Sequence, residues 1–300
     1  MIYDVIIVGA GPAGMTSAIY ALRANKKVLV LEKETIGGQM SSSPLIENYP
    51  GFLSISGSEL ANNLYNQVIE LGGEIEIEEV LSVKFDEIKT VTTDMGEYQA
   101  KSIIFATGSK FRTLGLDREE EFIGNGISFC VACDGAFYKD KVVAVVGGGN
   151  SAIINAITLS DLCSKVYVIQ NIDKLSAEAN LVDKLNSKEN VEVIYNASVK
   201  ELVGGHSLTG LNLLVNESEE RTLEIDGMFV AIGLVSQNDF IKDDINMDKY
   251  GYIDSNNECE TNLEGVFVAG DCRSKRIRQI TTATSDGSVA AINAIKFLNA

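Results

Sequence analysis

The stretch of this 300-residue chain best equipped for chemistry is Cys130-Val131-Ala132-Cys133-Asp134. A C-x-x-C pair supports zinc ligation or a dithiol that opens and closes as a disulfide. A tetrahedral zinc site needs a second ligand pair. The other candidates, His206, Cys163, Cys259 and Cys272, are scattered, with no second C-x-x-C or H-x-x-H. Redox exchange is therefore favoured, and no metal site is expected. Two intervening residues let the sulfurs approach on one turn, and a helix start would lower a thiol pKa and favour the thiolate. Asp134 follows directly. With His206 the only histidine, proton handling at the dithiol falls to this carboxylate, which could also cap a helix. The remaining cysteines read as bystanders: Cys163 a small core residue, Cys259 in a polar loop, Cys272 after a Gly-Asp turn. His206 reads as an exposed hairpin residue.

The elements that must position this dithiol are written in glycine turns. Tyr3 to Val8 is an apolar, β-branched run, read as a buried strand. Gly9-Ala10-Gly11-Pro12-Ala13-Gly14 follows, then a helical stretch to about Ala24, a second strand over Val28 to Leu31, and Glu32. Strand, glycine turn, helix, strand and acid form the dinucleotide fingerprint in its required context. Gly9 makes the tight turn, Gly11 lets the backbone approach a pyrophosphate, and Gly14 lets helix and strand pack closely. The helix N-terminus offers free N–H groups to the phosphates, and Glu32 can accept from a ribose. A second unit repeats the design: a strand over Val142 to Val146, then Gly147-Gly148-Gly149-Asn150-Ser151-Ala152, a helix to about Leu162, and a strand over Val166 to Ile169. The fold class is α/β, with two Rossmann-like, doubly wound nucleotide-binding domains. Near the C-terminus, Val266 to Ala269 reads as a strand stopped by Gly270-Asp271, with a helical tail from about Gly287 to Leu298.

Composition narrows the partners. Lys and Arg number 25 against 42 Asp and Glu, a formal charge of −17. Such a polyanion repels nucleic acid and anionic membrane surfaces. Hydrophobic residues make up 45% and charged residues 22%, as in a globular chain with a real core. No apolar run approaches the ~18 residues of a membrane helix. The N-terminus carries no basic leader, so a cytoplasmic location is expected. Five cysteines are too few, and odd in number, for a disulfide scaffold.

Taken together, GAGPAG (9–14), GGQM (37–40), ENYPG (47–51), ATGS (106–109), CVACDG (130–135), GGGNSA (147–152), FVAIG (229–233), VFVAGD (266–271) and RQ (278–279) resemble the low-molecular-weight thioredoxin reductases along essentially the whole chain. The resemblance implies a discontinuous FAD domain over 1–114 and 243–300. A pyridine-nucleotide-type domain over 115–242, carrying the dithiol, is inserted within it. It implies FAD contacts from Gly9, Gly11, Pro12, Ala13, Gly14 and Glu32 at the ADP half, with Gly38, Gln39, Asn48, Ala106, Thr107, Gly108 and Gly270 also at the cofactor. Asp271 would meet the ribityl chain, and Arg278 and Gln279 the isoalloxazine side. Cys133 would face the flavin, Cys130 would attack thioredoxin, and Asp134 would act as acid–base. A homodimer alternating between two domain orientations is implied as well.

One stretch departs from the NADPH-dependent members, which follow the second glycine motif with a strand and a His-Arg-Arg segment. Here the stretch is Gln170-Asn171-Ile172-Asp173-Lys174-Leu175-Ser176. A hydrogen bond to a charged group contributes about 1.5–3 kcal/mol, so two absent arginines cost roughly 3–6 kcal/mol, or about 10²- to 10⁴-fold in affinity. Lys174 compensates only in part. Gln170, in place of an acid, weakens NADH binding too. The sequence is similar in this respect to the ferredoxin-linked flavin thioredoxin reductases, and reduced ferredoxin is the expected donor. A plant-type ferredoxin near −400 mV and thioredoxin near −270 mV leave about 130 mV, roughly 6 kcal/mol downhill for two electrons. Because ferredoxins are acidic, docking needs a basic patch, for which Arg273-Ser274-Lys275-Arg276-Ile277-Arg278 is the candidate. The alternatives are an NAD(P)H-dependent reductase, a flavin dithiol oxidase passing electrons to oxygen, and a non-catalytic flavin redox sensor, against which the intact C-x-x-C-Asp argues.

Overall fold

Strand β1 (Ile2–Val8) is apolar at every core position and passes through Gly9 into helix α1 (Pro12–Arg23). Pro12 opens that helix, where its missing N–H costs nothing. Strand β2 (Val28–Glu32) is buried throughout, as expected of a parallel strand covered on both faces. The computed structural model describes residues 1–43 and 45–300. The chain continues through α2 (Gly57–Glu70), β3 (Glu74–Ile77), β4 (Val80–Lys84), β5 (Lys89–Thr93) and β6 (Glu97–Phe105). It leaves this part along β7 (Ser109–Phe111) and enters a second through α3 (Glu119–Phe122), β8 (Ile127–Ser128) and α4 (Val131–Asp134). There follow β9 (Val142–Val146), α5 (Asn150–Ser160), β10 (Lys165–Ile169), α6 (Ala179–Asn186) and β11 (Val191–Ile194). A meander of β12 (Ala197–Gly204), β13 (Leu208–Val215) and β14 (Glu219–Glu224) precedes β15 (Gly227–Val230). The chain returns along β16 (Leu234–Ser236) to β17 (Val266–Val268) and α7 (Ile280–Leu298).

Contacts divide the chain into two compact units, Met1–Lys110 with Val235–Ala300, and Phe111–Leu234. The chain crosses from one unit to the other within β7 and returns within β16. Within the first unit the sheet runs β3-β2-β1-β6-β5-β4, with β17 also on β6. Within the second it runs β11-β10-β9-β15-β8, beside the three-stranded meander. The parallel core of one, β3-β2-β1-β6, is matched by β11-β10-β9-β15 in the other, so the repeated glycine motif reflects a repeated sheet. Each sheet has an apolar cluster on both faces: Ile7, Val30 and Ile104 against Ile6, Leu29 and Phe105 in the first unit, and Ala144 and Met228 against Val145 and Phe229 in the second.

Two local features differ from the sequence expectation. Helix α7 starts at Ile280, not near Gly287, because Gln279 and Thr282 form a capping box there. Gly287 lies inside it, where a Cβ would overlap the Ala13 carbonyl and where its own carbonyl accepts from the Ser17 hydroxyl at 3.0 Å. Cys259 lies in the polar loop expected, but its side chain turns into the core; it is 1% exposed, and its carbonyl accepts from Val268 at 3.0 Å. His206 lies exposed in the β12–β13 turn. Among the described residues no helix is long and apolar enough to cross a membrane.

Candidate active site

In the first unit, the carboxyl ends of the parallel strands gather the residues expected at a cofactor, as parallel sheets do. Gly9, at φ +109°, leaves no room for a Cβ beside the Ala106 carbonyl, and a Cβ on Gly14 would overlap the Gly9 carbonyl oxygen. Gly11 is different: it has ordinary φ, and nothing lies within 4 Å of where its Cβ would be. Pro12 and Ala13 begin α1 behind it. Glu32 ends β2, buried, with one carboxylate oxygen accepting from the Ala10 amide at 2.7 Å and the other from Glu34 at 2.9 Å. Gly37 donates to the Ala10 carbonyl at 2.9 Å. That bond brings Gly38 beside Gly11 (a Cβ on Gly38 would lie 3.6 Å from the Gly11 Cα), and exposed Gln39 follows. Ala106, Thr107 and Gly108 follow β6, and Gly270-Asp271 follows β17. Asn48 donates to the Gln279 side chain at 3.3 Å.

Asp271 is the informative member. Its Oδ1 is sealed from solvent and has no hydrogen-bond partner among the described residues. Lys275 Nζ is 4.0 Å away, an ion-pair distance but too far for a hydrogen bond. Burial pushes this carboxyl up, against the pull of Lys275 and Arg278. An orphaned buried acceptor calls for a missing donor, and a ribityl hydroxyl is one. Together with the open ground in front of Gly11, this fits FAD.

Asn238, which sequence reasoning missed, ties two of these turns together. It is fully buried, accepts from Thr107 Oγ1 at 2.6 Å, and donates to the Gly251 carbonyl at 2.9 Å and the Cys272 carbonyl at 3.4 Å. No motif marks it; only its burial does. Asp286 was missed as well, and it corrects the expectation of an open basic patch. Its carboxylate takes Arg273 and Lys275, each at 2.7 Å, and accepts from the Gly270 amide at 3.1 Å. Arg278 lies 4.2 Å over the Tyr252 ring and donates to the carbonyls of Asp271, Lys275 and Arg273. Of the four basic residues only Arg276 is exposed. The stretch is an internal brace under the Gly-Asp turn, because the half-buried Asp286 carboxylate stands where two of its charges converge.

In the second unit, Cys130 and Cys133 form a disulfide with Cα atoms 5.3 Å apart. Cys130 caps the one-turn helix α4, and its carbonyl accepts from Cys133 at 3.2 Å and Asp134 at 3.0 Å. Both cysteines are half-buried. Asp134 Oδ2 accepts from the Ser128 hydroxyl at 2.6 Å, whereas its Oδ1 is buried with no hydrogen-bond partner among the described residues. Burial holds this carboxyl above its usual range, and the Ser128 bond offsets only part of that. The other three cysteines are buried, and burial pushes the thiols of Cys163 and Cys259 up to about 11.

The second glycine loop is built unlike the first. Gln170, 6% exposed, folds over it, so that a Cβ on Gly148 would be 2.5 Å from the Gln170 side chain. Gln170 donates to the Lys174 carbonyl at 3.0 Å, and Ser176 donates its amide to the Gly148 carbonyl at 2.9 Å. Asn150, at the start of α5, exchanges hydrogen bonds with Glu178 at 3.0 and 2.8 Å. The segment from 170 to 178 thus lies against the loop, with a carboxylate near the helix start.

Comparison with known proteins adds to this geometry. A family described as pyridine nucleotide-disulphide oxidoreductase matches residues 3–287. A thioredoxin reductase of Listeria monocytogenes is 43% identical over 99% of this chain and 94% of its own. The chain belongs to the low-molecular-weight thioredoxin reductase family. FAD is the cofactor of this family. A Clostridium pasteurianum protein known as a 34.2 kDa protein in the rubredoxin operon is 41% identical over 98% of this chain and 97% of its own. Among solved structures, the thioredoxin reductase of Streptococcus pyogenes superposes with a TM-score of 0.96 at 37% identity, covering 99% of this chain and 98% of that one. None of these names specifies ferredoxin, so the relatives do not support the ferredoxin-dependent branch.

Proposed function

We propose that the chain is an FAD-dependent thioredoxin-disulfide reductase in which Cys130 and Cys133 are the exchanging pair and Asp134 their proton carrier. The observation that carries this reading is the Cys130–Cys133 disulfide with the buried, partly unpartnered carboxyl of Asp134 in the same turn. In the reduced dithiol, the Cys130 thiolate attacks one sulfur of the thioredoxin disulfide and displaces the other as a thiolate, which takes a proton. Cys133, deprotonated by Asp134, then attacks Cys130 in the mixed disulfide. The Cys130–Cys133 bond closes, and thioredoxin leaves with both sulfurs reduced. A carboxyl held above its usual range takes a proton more readily than an ordinary one, which suits it to passing that proton to and fro.

The first unit would hold FAD through Gly9 to Gly14 and Gly38 at the pyrophosphate, Glu32 at the ribose and Asp271 at the ribityl chain. Gln39, Asn48, Ala106 to Gly108, Gly270, Arg278 and Gln279 would stand around it. FAD, when bound, supplies a two-electron store that can be filled from a hydride or one electron at a time. The resemblance also supports a homodimer, which sedimentation tests.

For the donor, the family's description names a pyridine nucleotide, and NAD(P)H is the first reading. Ferredoxin is the second, on one specific observation: Gln170 and the 170–178 segment lie on the second glycine loop, with no arginine for a 2′-phosphate. The loss of the open basic patch weakens it. Anaerobic mixing of the yellow protein with NADPH, NADH or reduced ferredoxin, read by flavin bleaching and thioredoxin thiol release, decides between them. Bleaching at micromolar NADPH selects the first reading, and bleaching by ferredoxin alone selects the second. Turnover of a small dithiol with oxygen, without thioredoxin reduction, would sink both in favour of an oxidase.

A further inference from the structure

Ser128 is the last residue of β8, two positions before the first cysteine, and it is 6% exposed. Its hydroxyl has one proton, which goes to Asp134 Oδ2 at 2.6 Å. Ser128 Oγ itself accepts from the Cys130 amide at 3.1 Å. Because the amide fills the lone-pair side of the hydroxyl, its proton is left pointing at the carboxylate. The other carboxylate oxygen has no hydrogen-bond partner, and no salt bridge reaches Asp134 among the described residues. The ionisable groups facing it are the dithiol itself and the phenol of Tyr138, which burial and then the charges of Asp134 and Asp226 push up. Among the described residues no salt bridge offsets the carboxylate, and the Ser128 hydroxyl is the side-chain donor that supports its ionised form.

We propose that Ser128 is a positioning residue of the dithiol: latched by the Cys130 amide, its hydroxyl fixes the Asp134 carboxyl and sets the pH at which that group gives and takes its proton. The inference rests on the reading of Asp134 as proton carrier. A hydroxyl that merely filled space would be replaced by a methyl group at little functional cost. A hydroxyl that holds the carboxylate would not, since its removal leaves both oxygens without a donor.

The test uses the FAD-loaded full chain as wild type, S128A, S128T, D134N and S128A/D134N. Two quantities are followed against pH: thioredoxin reduction, and the rate at which iodoacetamide alkylates the chemically reduced Cys130–Cys133 pair, read by mass spectrometry. In S128A, the limb of both profiles that depends on Asp134 moves up by about one pH unit, the tenfold change in proton affinity that one hydrogen bond to a charged group supports. S128T, which keeps the hydroxyl, stays within about twofold of wild type. In the D134N background, removing Ser128 changes neither profile further, because the carboxylate it serves is gone. Superimposable wild-type and S128A profiles, beside a D134N that does change, would overturn the role of Ser128 alone. An S128T that shares the S128A shift, or an S128A effect undiminished in D134N, would overturn it too. A D134N with unaltered profiles would remove the proton-carrier reading and this inference with it.

Discussion

Gly11 and Gly14 stand three residues apart in one turn, and their alanine variants should fail in opposite ways. Gly11 has φ −75° and ψ −177°, which alanine adopts freely, and nothing lies within 4 Å of its Cβ position. Replacing it costs the fold nothing and, by stiffening the unfolded chain, should stabilise it by about 0.4–1 kcal/mol. The same methyl would stand in the open ground before the helix start, where a pyrophosphate would approach. Losing one hydrogen bond to a charged phosphate costs about 1.5–3 kcal/mol, or roughly 10- to 150-fold in FAD affinity. Gly14 has the reverse problem. A Cβ there would overlap the Gly9 carbonyl oxygen and come within 3.3 Å of the Ile7 side chain. The obstacle is backbone and cannot rotate away. Overpacking of this kind costs about 1–3 kcal/mol or more, only partly offset by the ~1 kcal/mol by which alanine improves a helix. Urea unfolding without added FAD, paired with FAD titration by flavin fluorescence, separates the two. G11A should unfold no earlier than wild type yet release FAD, and G14A should unfold earlier. A G11A that binds FAD within twofold of wild type would refute the assignment of that open ground to the pyrophosphate, and a G14A of undiminished stability would refute the packing role.

Asp286→Ala leaves Arg273, at 13% side-chain exposure, without its carboxylate and Lys275, at 16%, with only the 4.0 Å pair to Asp271. Breaking such a largely buried set costs up to about 3–5 kcal/mol, whereas Asp161→Ala, removing a carboxylate that is 64% exposed, should leave the midpoint almost unmoved; urea midpoints compare them. In the native protein at pH 7.5, iodoacetamide should label no cysteine before reduction and only Cys130 and Cys133 after it, because burial holds the Cys163 and Cys259 thiols near 11 and raises that of Cys272. Labelling of any of those three at a comparable rate would contradict their burial. Asp134→Asn should impair turnover while raising the thermal midpoint at pH 7–8. The native carboxyl is held above its unfolded value, so wild-type stability falls as pH rises through that raised value. The gain should fade below about pH 3.9, where folded and unfolded carboxyls are both protonated, and a gain that grew on acidification would show the sign to be wrong.

What could be read from the sequence and what could not divide along a physical line. Elements whose signal is local and repeated were legible. An apolar run before glycine and a small-residue helix after it are fixed by sterics within about a dozen residues, and both βαβ starts appear where expected. The dithiol was legible because spacing alone brings two such cysteines onto one turn. The groups that hold these motifs in place were not, since their partners come from far along the chain. Asn238 reaches Thr107, and Asp286 gathers Gly270, Arg273 and Lys275. Asp286 also shows how a linear charge count misleads: four cations in six residues suggest an open patch only while their counter-ion is out of view. The repeat makes the point more sharply. In the first sheet β17 lies parallel beyond β6 and ends in Gly270-Asp271; in the second β8 lies parallel beyond β15 and ends in the dithiol and Asp134. Each position presents an aspartate with one buried oxygen lacking a hydrogen-bond partner. Two motifs with no sequence likeness thus occupy one topological position, at the carboxyl edge where parallel sheets place their chemistry. Because a sheet fixes that position through strand order and not through residue identity, the equivalence could be seen only after the strands had been paired.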